Sequence, residues 1–352
     1  MTINWRNQAN FDDTLYQSLE QLEAPLANDR LNGLMVNGNF TIGIGFDLVA
    51  GGRPVQNAVL ATLGFKSSIV NLSSRPVSGV NDQAEYDFIQ SIRTAVNNHN
   101  GASALNLIMA QRLAYANANA SYSSYIGGLP RSTFTFANEL EVRATFDNLW
   151  PNVYRQPILN KLPAINPNSR EMIALASMTW NGGSGIIGRK LTAAINSGNR
   201  AEAWYEIRYG SNGGASASGG LAKRRYMEST LFGLYNTNVT SADAESVYKT
   251  LQKHRDTILS YEKTYGLAPD GTVGSNGNRI SSANIDYSGV LQTFGVGVET
   301  LENILGLAKN TNNRGQTTVS YTKQSIIDAL QANIHAVSRV GSNSQAYCAI
   351  EK

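Results

Sequence analysis

The sequence has few of the residues that build disulfide frameworks and metal centres. Its 352 residues include one cysteine, Cys348, and three histidines that lie far apart in the chain. A single cysteine excludes an intrachain disulfide framework and any site made of several cysteines. Scattered histidines argue against a histidine-rich zinc site. Chemistry in this chain is therefore expected to depend on carboxylates, hydroxyls and arginines.

Charge and long apolar runs are also scarce. Charged residues make up 16% of the chain and the net charge is +3, which is too weak to indicate a nucleic-acid partner. No run approaches the roughly 18 apolar residues of a membrane span, so no membrane insertion is expected. The N-terminal segment lacks the basic and apolar regions of a secretory signal. We therefore expect synthesis in the cytoplasm without a signal peptide, and another route to any target outside it.

The apolar spacing indicates a mostly helical protein with one small β-hairpin. Residues 11–23 repeat leucine and phenylalanine at helical spacing, and Pro25 stops that helix. Asn37-Gly38 then lies between two apolar runs, which is the strongest short signal for a hairpin. Alternation is predicted to continue through Gly43 and Gly45.

Helices dominate the rest of the chain. A loop is predicted over 121–133, linkers over 268–279 and 308–318, and a last amphipathic helix over 321–339. The other predicted helices cover 54–64, 82–117 (as one or two helices), 134–146, 151–162, 169–181, 189–198, 219–235 and 240–266.

Acidic residues lie on both sides of the predicted hairpin. Glu20 and Glu23 are near the end of the first helix, and Asp47 follows the glycine-rich segment. Glycoside hydrolysis commonly uses two carboxyl groups, one to protonate the leaving oxygen and one to activate water or stabilise the oxocarbenium-like transition state. A helix end facing a hairpin can supply one group from each wall of a cleft. The alternative is that these are ordinary surface acids.

Two sequence blocks resemble the phage-type lysozymes, the muramidase family of T-even phage lysozyme and pesticin. The first is FTIGIGFDL (40–48), which is similar to the family's TIGxG hairpin. The second is IALASMTWNGGSGIIGRKLTAAINSGNRAEAW (173–204), followed by GGLAKRRYMESTLFGLY (219–235), which resemble its C-terminal half. The resemblance covers roughly residues 8–236, with residues 65–133 interpreted as part of an enlarged helical lobe.

The resemblance implies a fold class and a domain organisation. The fold is expected to be α+β and mostly α-helical, with a small β-hairpin lobe, a larger helical lobe and a helical C-terminal extension. Residues 1–236 would form the lysozyme-like domain and 237–310 a helical extension or linker. Residues 311–352 would form a C-terminal segment, as the possible start of a truncated second domain.

The resemblance also implies roles for particular residues. The family's general acid lies at the end of the first helix, which matches Glu23, with Glu20 as the competitor one turn earlier. The threonine of the TIG run matches Thr41, which would help to hold the water. Arg224 or Arg225 would pair on the Glu23 side and hold its rotamer; the alternative is that both arginines only support helix packing or face solvent.

The second carboxylate departs from the usual family pattern. In most members an aspartate lies between the acid and the threonine, where this sequence has Asn32 in RLNG. Pesticin-like members place it just after the TIGxG run, which matches Asp47. Asp47 is therefore the predicted second carboxylate. Asp29, which is the only acid between Glu23 and Thr41, is the fallback.

The C-terminal region gives weaker signals. The DG turn within 265–274 resembles the turn of small peptidoglycan-binding modules, and 333–352 resembles the start of a cysteine peptidoglycan amidase. Cysteine catalysis needs a base, but no histidine follows Cys348, and His335 precedes it on its own predicted helix. Either the chain is part of a bifunctional muramidase and amidase, or Cys348 is an inert buried thiol.

The leading expectation is a muramidase that needs no metal or cofactor. It would cleave the β-1,4 bond between N-acetylmuramic acid and N-acetylglucosamine in the bacterial cell wall or periplasm, as an antibacterial effector or a phage lysin. Expected partners are bacterial peptidoglycan and, beyond it, an immunity protein or a secretion or tail apparatus. The alternative is a non-catalytic peptidoglycan-binding or phage-tail structural module.

Overall fold

A computed structural model describes residues 3–24, 26–212, 219–236, 241–265, 288–294, 310–311 and 317–318. These residues form mostly α-helices and a small three-stranded antiparallel sheet, which confirms the predicted α+β, mostly α-helical class. The helices are α1 (Phe11–Glu23), α2 (Ala27–Leu31), α3 (Gly52–Thr62), α4 (Ser67–Val70), α5 (Val80–Asn97), α6 (Ala102–Ala118), α7 (Ala120–Ile126), α8 (Glu139–Leu149), α9 (Gln156–Lys161), α10 (Arg170–Gly182), α11 (Arg189–Asn196), α12 (Arg200–Tyr205), α13 (Gly219–Phe232), α14 (Ser241–Lys253), α15 (Arg255–Tyr265) and α16 (Ser288–Thr293). The strands are β1 (Leu34–Val36), β2 (Asn39–Ile42), β3 (Phe46–Asp47), β4 (Asn310–Thr311) and β5 (Thr317–Thr318).

The described residues divide into two compact units. The hairpin unit is Tyr16–Gln156 and contains the three-stranded sheet. The helical unit comprises the described residues of Met1–Leu15 and Pro157–Lys352. A π-helix at Trp150–Arg155 follows α8 in the hairpin unit, and another at Glu206–Gly210 follows α12 in the helical unit.

The first turn of the sheet forms where the sequence predicts it. Val36 pairs with Asn39 across the two-residue turn Asn37-Gly38, whose φ values are 51° and 86°. Positive φ at both positions is the geometry of a type I′ hairpin turn, which asparagine and glycine adopt most easily. The predicted hairpin is therefore confirmed.

The second turn corrects the predicted alternation. The strand does not continue through Gly43 and Gly45, because these residues form the turn between β2 and β3, with φ of 70° and 93°. A Cβ added to Gly43 would lie 2.4 Å from the Phe46 ring. Glycine at this position therefore provides both the left-handed backbone and the space for Phe46.

The buried face of the sheet packs on a segment that was predicted to be helical. Phe134 lies edge-on to Phe40 at 5.7 Å between ring centroids, and Phe136 is edge-on to Phe46 at 6.3 Å. The backbone of this segment bonds to residues at the end of α2 instead of to itself, because Thr135 bridges Asn32 and Phe136 N donates to the Leu31 carbonyl at 3.0 Å. The helix begins only at Glu139, where the Asn138 side chain accepts a bond from Glu141 N. The predicted start at Phe134 is therefore wrong.

The predicted loop over 121–133 is also partly wrong, because α7 occupies its first residues. Tyr122 is fully buried, and its hydroxyl bonds to Glu85, which forms an ion pair with Arg112 at 2.8 Å. Both charged side chains are fully shielded from solvent. Burial of this network favours a helix in a segment whose serine- and glycine-rich composition indicates a loop.

The helical unit is built around α10 and α13, which pack together. Every residue from Glu171 to Trp180 is buried, and Ser169 caps the helix by accepting a bond from Met172 N at 3.1 Å. This agrees with the core helix predicted at 169–181. The serine cap and the mostly apolar sequence are local signals, which is why this helix could be predicted.

The helix predicted over 240–266 is interrupted once. α14 and α15 are separated at His254, whose ring stacks on Tyr205 at 3.6 Å and whose Nε2 lies 2.7 Å from Glu202 Oε1. Lys253 Nζ donates to the same oxygen at 2.8 Å. The break coincides with the residue that attaches these helices to α12.

Several C-terminal predictions lie outside the described residues. They are the linker at 268–279, the helix at 321–339, and the side chains of His335 and Cys348. Within the predicted linker 308–318, four residues are described, and they pair as the antiparallel strands β4 and β5.

Substitution of Gly43 tests whether the second turn needs glycine. Gly43→Ala puts an alanine at a position with positive φ and places its Cβ against Phe46. Gly38→Ala is the control, because its φ is also positive but no atom lies near the added Cβ. Overpacking costs about 1–3 kcal/mol, so Gly43→Ala should lose about that much more unfolding free energy than Gly38→Ala in urea denaturation. Equal losses would contradict the proposed steric role.

Candidate active site at the hairpin

The hairpin brings two predicted site residues together. Thr41 on β2 is directly opposite Asp47 on β3 in the antiparallel register. Directly opposite residues share one face of a sheet, and alternation puts Asn39 on that face as well. Phe40 and Ile42 point to the buried face. The half-exposed polar face therefore carries a hydroxyl and a carboxylate as cross-strand neighbours.

The Asp47 carboxylate is held by three hydrogen bonds. Asn39 Nδ2 donates to Oδ2 at 2.8 Å, while the backbone N–H groups of Val49 and Ala50 donate to Oδ1 at 2.8 Å each. A carboxylate has about four acceptor positions, so Oδ2 can accept one further donor, such as water. The turn that leads into α3 thus fixes the direction of this side chain.

Glu23 and Glu20 have different surroundings at the end of α1. Glu23 is the last residue of the helix and is half-buried, with its Oε1 shielded from solvent. Glu20 Oε1 lies 3.1 Å from Arg30 Nε and forms an ion pair. The structure therefore assigns Glu20 a cationic partner, one turn before the residue predicted as the acid.

Arg30 joins the segments that carry the predicted site residues. Besides Glu20, its Nε donates to both carboxylate oxygens of Glu139, at 2.9 and 3.0 Å, and its Nη1 donates to the Ala24 carbonyl at 2.7 Å. The Arg30 carbonyl accepts a bond from Gly43 N at 3.1 Å. The end of α1, the start of α8 and the turn after Thr41 are thus connected through one residue.

Tyr154 is a site residue that the sequence did not reveal. It lies on the π-helix Trp150–Arg155. Burial, followed by the negative charges of Asp47 and Glu23, raises the pKa of Tyr154 to about 12. Coulomb interactions weaken with distance, so both carboxylates lie within electrostatic range of one hydroxyl. The negative charges of Asp47 and Glu23 therefore both contribute to the electrostatic environment of Tyr154.

The fallback carboxylate has a separate position. Asp29 is half-buried in the first turn of α2, and its backbone N–H donates to the Leu26 carbonyl at 3.1 Å. Its side chain forms no ion pair with any residue that the structure describes. The charges that act on Tyr154 are those of Asp47 and Glu23.

Arg224 and Arg225 are both buried on α13, so they do not face solvent. Arg224 Nε lies 3.2 Å from Glu228 Oε1, and Arg225 forms an ion pair with the other oxygen of Glu228. Ser177 on α10 donates to Glu228 at 2.7 Å, and Asn181 accepts from Arg225 at 3.1 Å. These contacts connect α13 to α10 within the helical unit.

Neither metal-binding clusters nor membrane spans are found in the part of the chain that the structure describes. No group of three or more histidine, cysteine or acidic side chains there is placed to hold a metal ion. Among the described helices, none has the length and apolar character needed to cross a bilayer.

Comparison with known proteins leaves the family open. No protein-family model matches the chain, no curated protein is significantly similar to it, and no solved structure matches it. The resemblance to phage-type lysozymes therefore depends on the sequence motifs, and family membership stays a prediction.

The ionisation of Tyr154 can test the clustering of the two carboxylates. Negative neighbours disfavour the phenolate, so removing either charge should lower the pKa of Tyr154. We expect this result for both Glu23→Gln and Asp47→Asn in an NMR titration of isotope-labelled tyrosine, with the signal assigned through Tyr154→Phe. Asp87→Asn removes an exposed acid that pairs with Arg75 and should have no effect. An unchanged titration in both site variants would contradict the clustering.

Proposed function

We propose that this protein is a peptidoglycan hydrolase of the lysozyme type. It would cleave the β-1,4 bond between N-acetylmuramic acid and N-acetylglucosamine. The observation that carries the proposal is that the sheet sets Thr41 opposite Asp47, while the charges of Asp47 and Glu23 both raise the pKa of Tyr154. Two carboxyl groups near one point are what hydrolysis of a glycosidic bond requires.

The proposed roles follow from the surroundings of each group. Glu23 donates a proton to the leaving oxygen, and Asp47 activates water or stabilises the oxocarbenium-like transition state. Thr41 lies across the strand pair from Asp47. Its hydroxyl can therefore orient a water molecule that also bonds to the free acceptor position of Asp47.

The contacts of Arg30 favour Glu23 over Glu20 as the acid. Glu20 is engaged in an ion pair with Arg30, whose Nε lies 3.1 Å from its Oε1, so this carboxylate already serves a structural contact. Tyr154 remains a neutral phenol near neutral pH because its pKa is about 12. It can donate a hydrogen bond in the site without adding a third negative charge.

The biological setting is proposed from the sequence resemblance. The substrate would be bacterial peptidoglycan in the periplasm or cell wall, and the protein would act as an antibacterial effector or a phage lysin. An immunity protein and a secretion or tail apparatus are the corresponding partners. In a wider version of this proposal, the protein is bifunctional and has a cysteine amidase activity in addition to the muramidase activity.

One observation favours a second candidate, a non-catalytic peptidoglycan-binding or phage-tail module. Two backbone hydrogen bonds to Asp47 close the turn between β3 and α3, and a third joins its side chain to Asn39 on β2. This is a sufficient structural reason for an aspartate at that position. The two candidates differ in turnover, because a binding module retains affinity for cell walls but releases no muropeptides.

Glu23→Gln is the first test of the enzyme. Glutamine keeps the size and polarity of the side chain but cannot donate a proton to the glycosidic oxygen. General acid catalysis contributes roughly 100- to 10,000-fold, so lysis of permeabilised Gram-negative cells should fall at least about 100-fold. The melting temperature should remain close to that of the wild type.

Glu20→Gln is the matched control for this experiment. It makes the same substitution one turn earlier on α1 and should retain activity. A folded Glu23→Gln protein that clears cells at the wild-type rate would reject Glu23. An inactive Glu20→Gln protein would transfer the role of acid to Glu20.

Asp47→Asn tests the second carboxylate. The amide oxygen of the introduced asparagine can still accept the two backbone bonds, and Asn39 can rotate its amide to accept from the new NH₂ group, so the turn should persist. Turnover should be abolished while binding to purified cell walls is retained. Asp29→Asn should be nearly neutral, and the reverse pattern would instead assign the role to Asp29.

A further inference from the structure

The hairpin unit contains a polar pocket away from the residues assigned to hydrolysis. It has a volume of about 500 Å³ and lies among α3, α4, the end of α8 and the π-helix that follows. Small-molecule sites commonly have volumes of roughly 300–1,000 Å³. The polar side chains that carry the argument are Arg53, Asn57, Asn71, Asn148 and Asn152.

The charge of this pocket is positive. Arg53 is its only charged lining residue among those the structure describes, and no carboxylate lines it there. Arg93 on α5 lies behind Asn57 and donates to Asn57 Oδ1 at 2.6 Å and to the Val70 carbonyl at 2.7 Å. Burial, followed by the positive charge of Arg53, lowers the pKa of Arg93. The two guanidinium groups therefore interact with each other next to the same pocket.

Arg93 has no counter-ion in the described part of the chain. It is only 5% exposed, and no carboxylate described by the structure forms an ion pair with it. Its Nε and Nη1 are buried without a hydrogen-bond partner among those residues. A buried charge without a partner is costly to a fold. An anion bound in the adjacent pocket would reduce this cost.

The hydrogen bonds along the wall leave donors available. Asn57 Oδ1 is occupied by Arg93, Asn57 Nδ2 donates to Asn71 Oδ1 at 2.9 Å, and Asn71 Nδ2 donates to the Ser67 carbonyl at 2.9 Å. Each amide has a second N–H that this chain does not use. Arg53 uses one nitrogen on the Leu72 carbonyl at 2.7 Å and retains others. The pocket therefore offers mainly N–H donors.

The facing wall adds two further amides. Asn148 and Asn152 are four residues apart, at the end of α8 and in the π-helix, and both are exposed. Both line the pocket from the side of the π-helix. Their amides can supply donors and acceptors to a polar ligand that enters between the two walls.

We propose that this pocket binds an oxyanion, a carboxylate or phosphate group carried on a molecule of about the size of a sugar. Positive charge, unused N–H donors and the absence of acidic side chains from the described lining all select for a negatively charged oxygen ligand. The proposal does not depend on hydrolysis, because none of its residues is Glu23, Thr41 or Asp47.

Three probes test the proposal in titration calorimetry with the full chain. They are inorganic phosphate, N-acetylmuramic acid, which carries a carboxylate, and N-acetylglucosamine, its neutral counterpart. At least one anion should bind at least about 10-fold more tightly than N-acetylglucosamine, a difference that electrostatic pairing readily supplies. Preference for phosphate assigns the ligand to phosphate compounds, and preference for N-acetylmuramic acid assigns it to acidic sugars. If neither anion binds more tightly than the neutral sugar, the proposal is overturned.

Asn57→Asp is the sharpest variant. It places a carboxylate beside Arg93 and thereby supplies the counter-ion internally. Anion binding should be lost while the melting temperature rises, a combination that simple unfolding cannot produce. Retention of wild-type affinity by Asn57→Asp would overturn the proposal.

A charge-matched pair of variants completes the test. Arg53→Gln should weaken anion binding at least about 10-fold. Arg75→Gln removes the same charge from an exposed arginine paired with Asp87 and should bind as the wild type does. Asp47→Asn should also leave anion binding unchanged, which separates failure of this proposal from failure of the hydrolase proposal. If Arg53→Gln and Arg75→Gln weaken binding equally, the anion responds to the net charge of the protein, and the assignment of the binding site to this pocket is overturned.

Discussion

The arrangement of the candidate site depends on Arg30. Its guanidinium side chain is only 11% exposed and contacts Glu20, Glu139 and the end of α1, while its carbonyl holds the turn after Thr41. The strands of this sheet are only three, four and two residues long, so contacts outside the sheet are needed to fix its position against a helix. Here the side chain and the backbone of one residue provide them. Arg30 therefore links the helix end that carries Glu23 to the turn that follows Thr41.

The elements that could be predicted from the sequence are those with local causes. The Asn37-Gly38 turn follows from the left-handed backbone that these residues accept, and α10 follows from its serine cap and apolar sequence. The extended segment around Phe134 and the buried anchor of α7 at Tyr122 depend on partners distant in sequence. Tertiary contacts override local propensity in such segments. No pattern within the segments themselves indicates which structure they adopt.

The same distinction applies to the candidate site. The positions of Glu23, Thr41 and Asp47 could be inferred because they end a helix or flank a turn. Tyr154 could not, because a π-helix has no distinctive sequence period and its relation to the carboxylates is tertiary. In the helical unit, the ion-pair partner Glu228 was also not predicted although a signal existed, since it lies four residues after Arg224 and three after Arg225, at the spacing of ion pairs along a helix.

The turn closed by Asp47 has an evolutionary consequence. Its two backbone bonds require only a side-chain oxygen, which asparagine also has, and its third bond joins it to an amide that can rotate. The codons for aspartate and asparagine differ by a single nucleotide. One mutation can thus exchange a charged hairpin for a neutral one of the same shape. A lineage carrying this fold can therefore gain or lose the charge on this face of the sheet without passing through an unfolded intermediate.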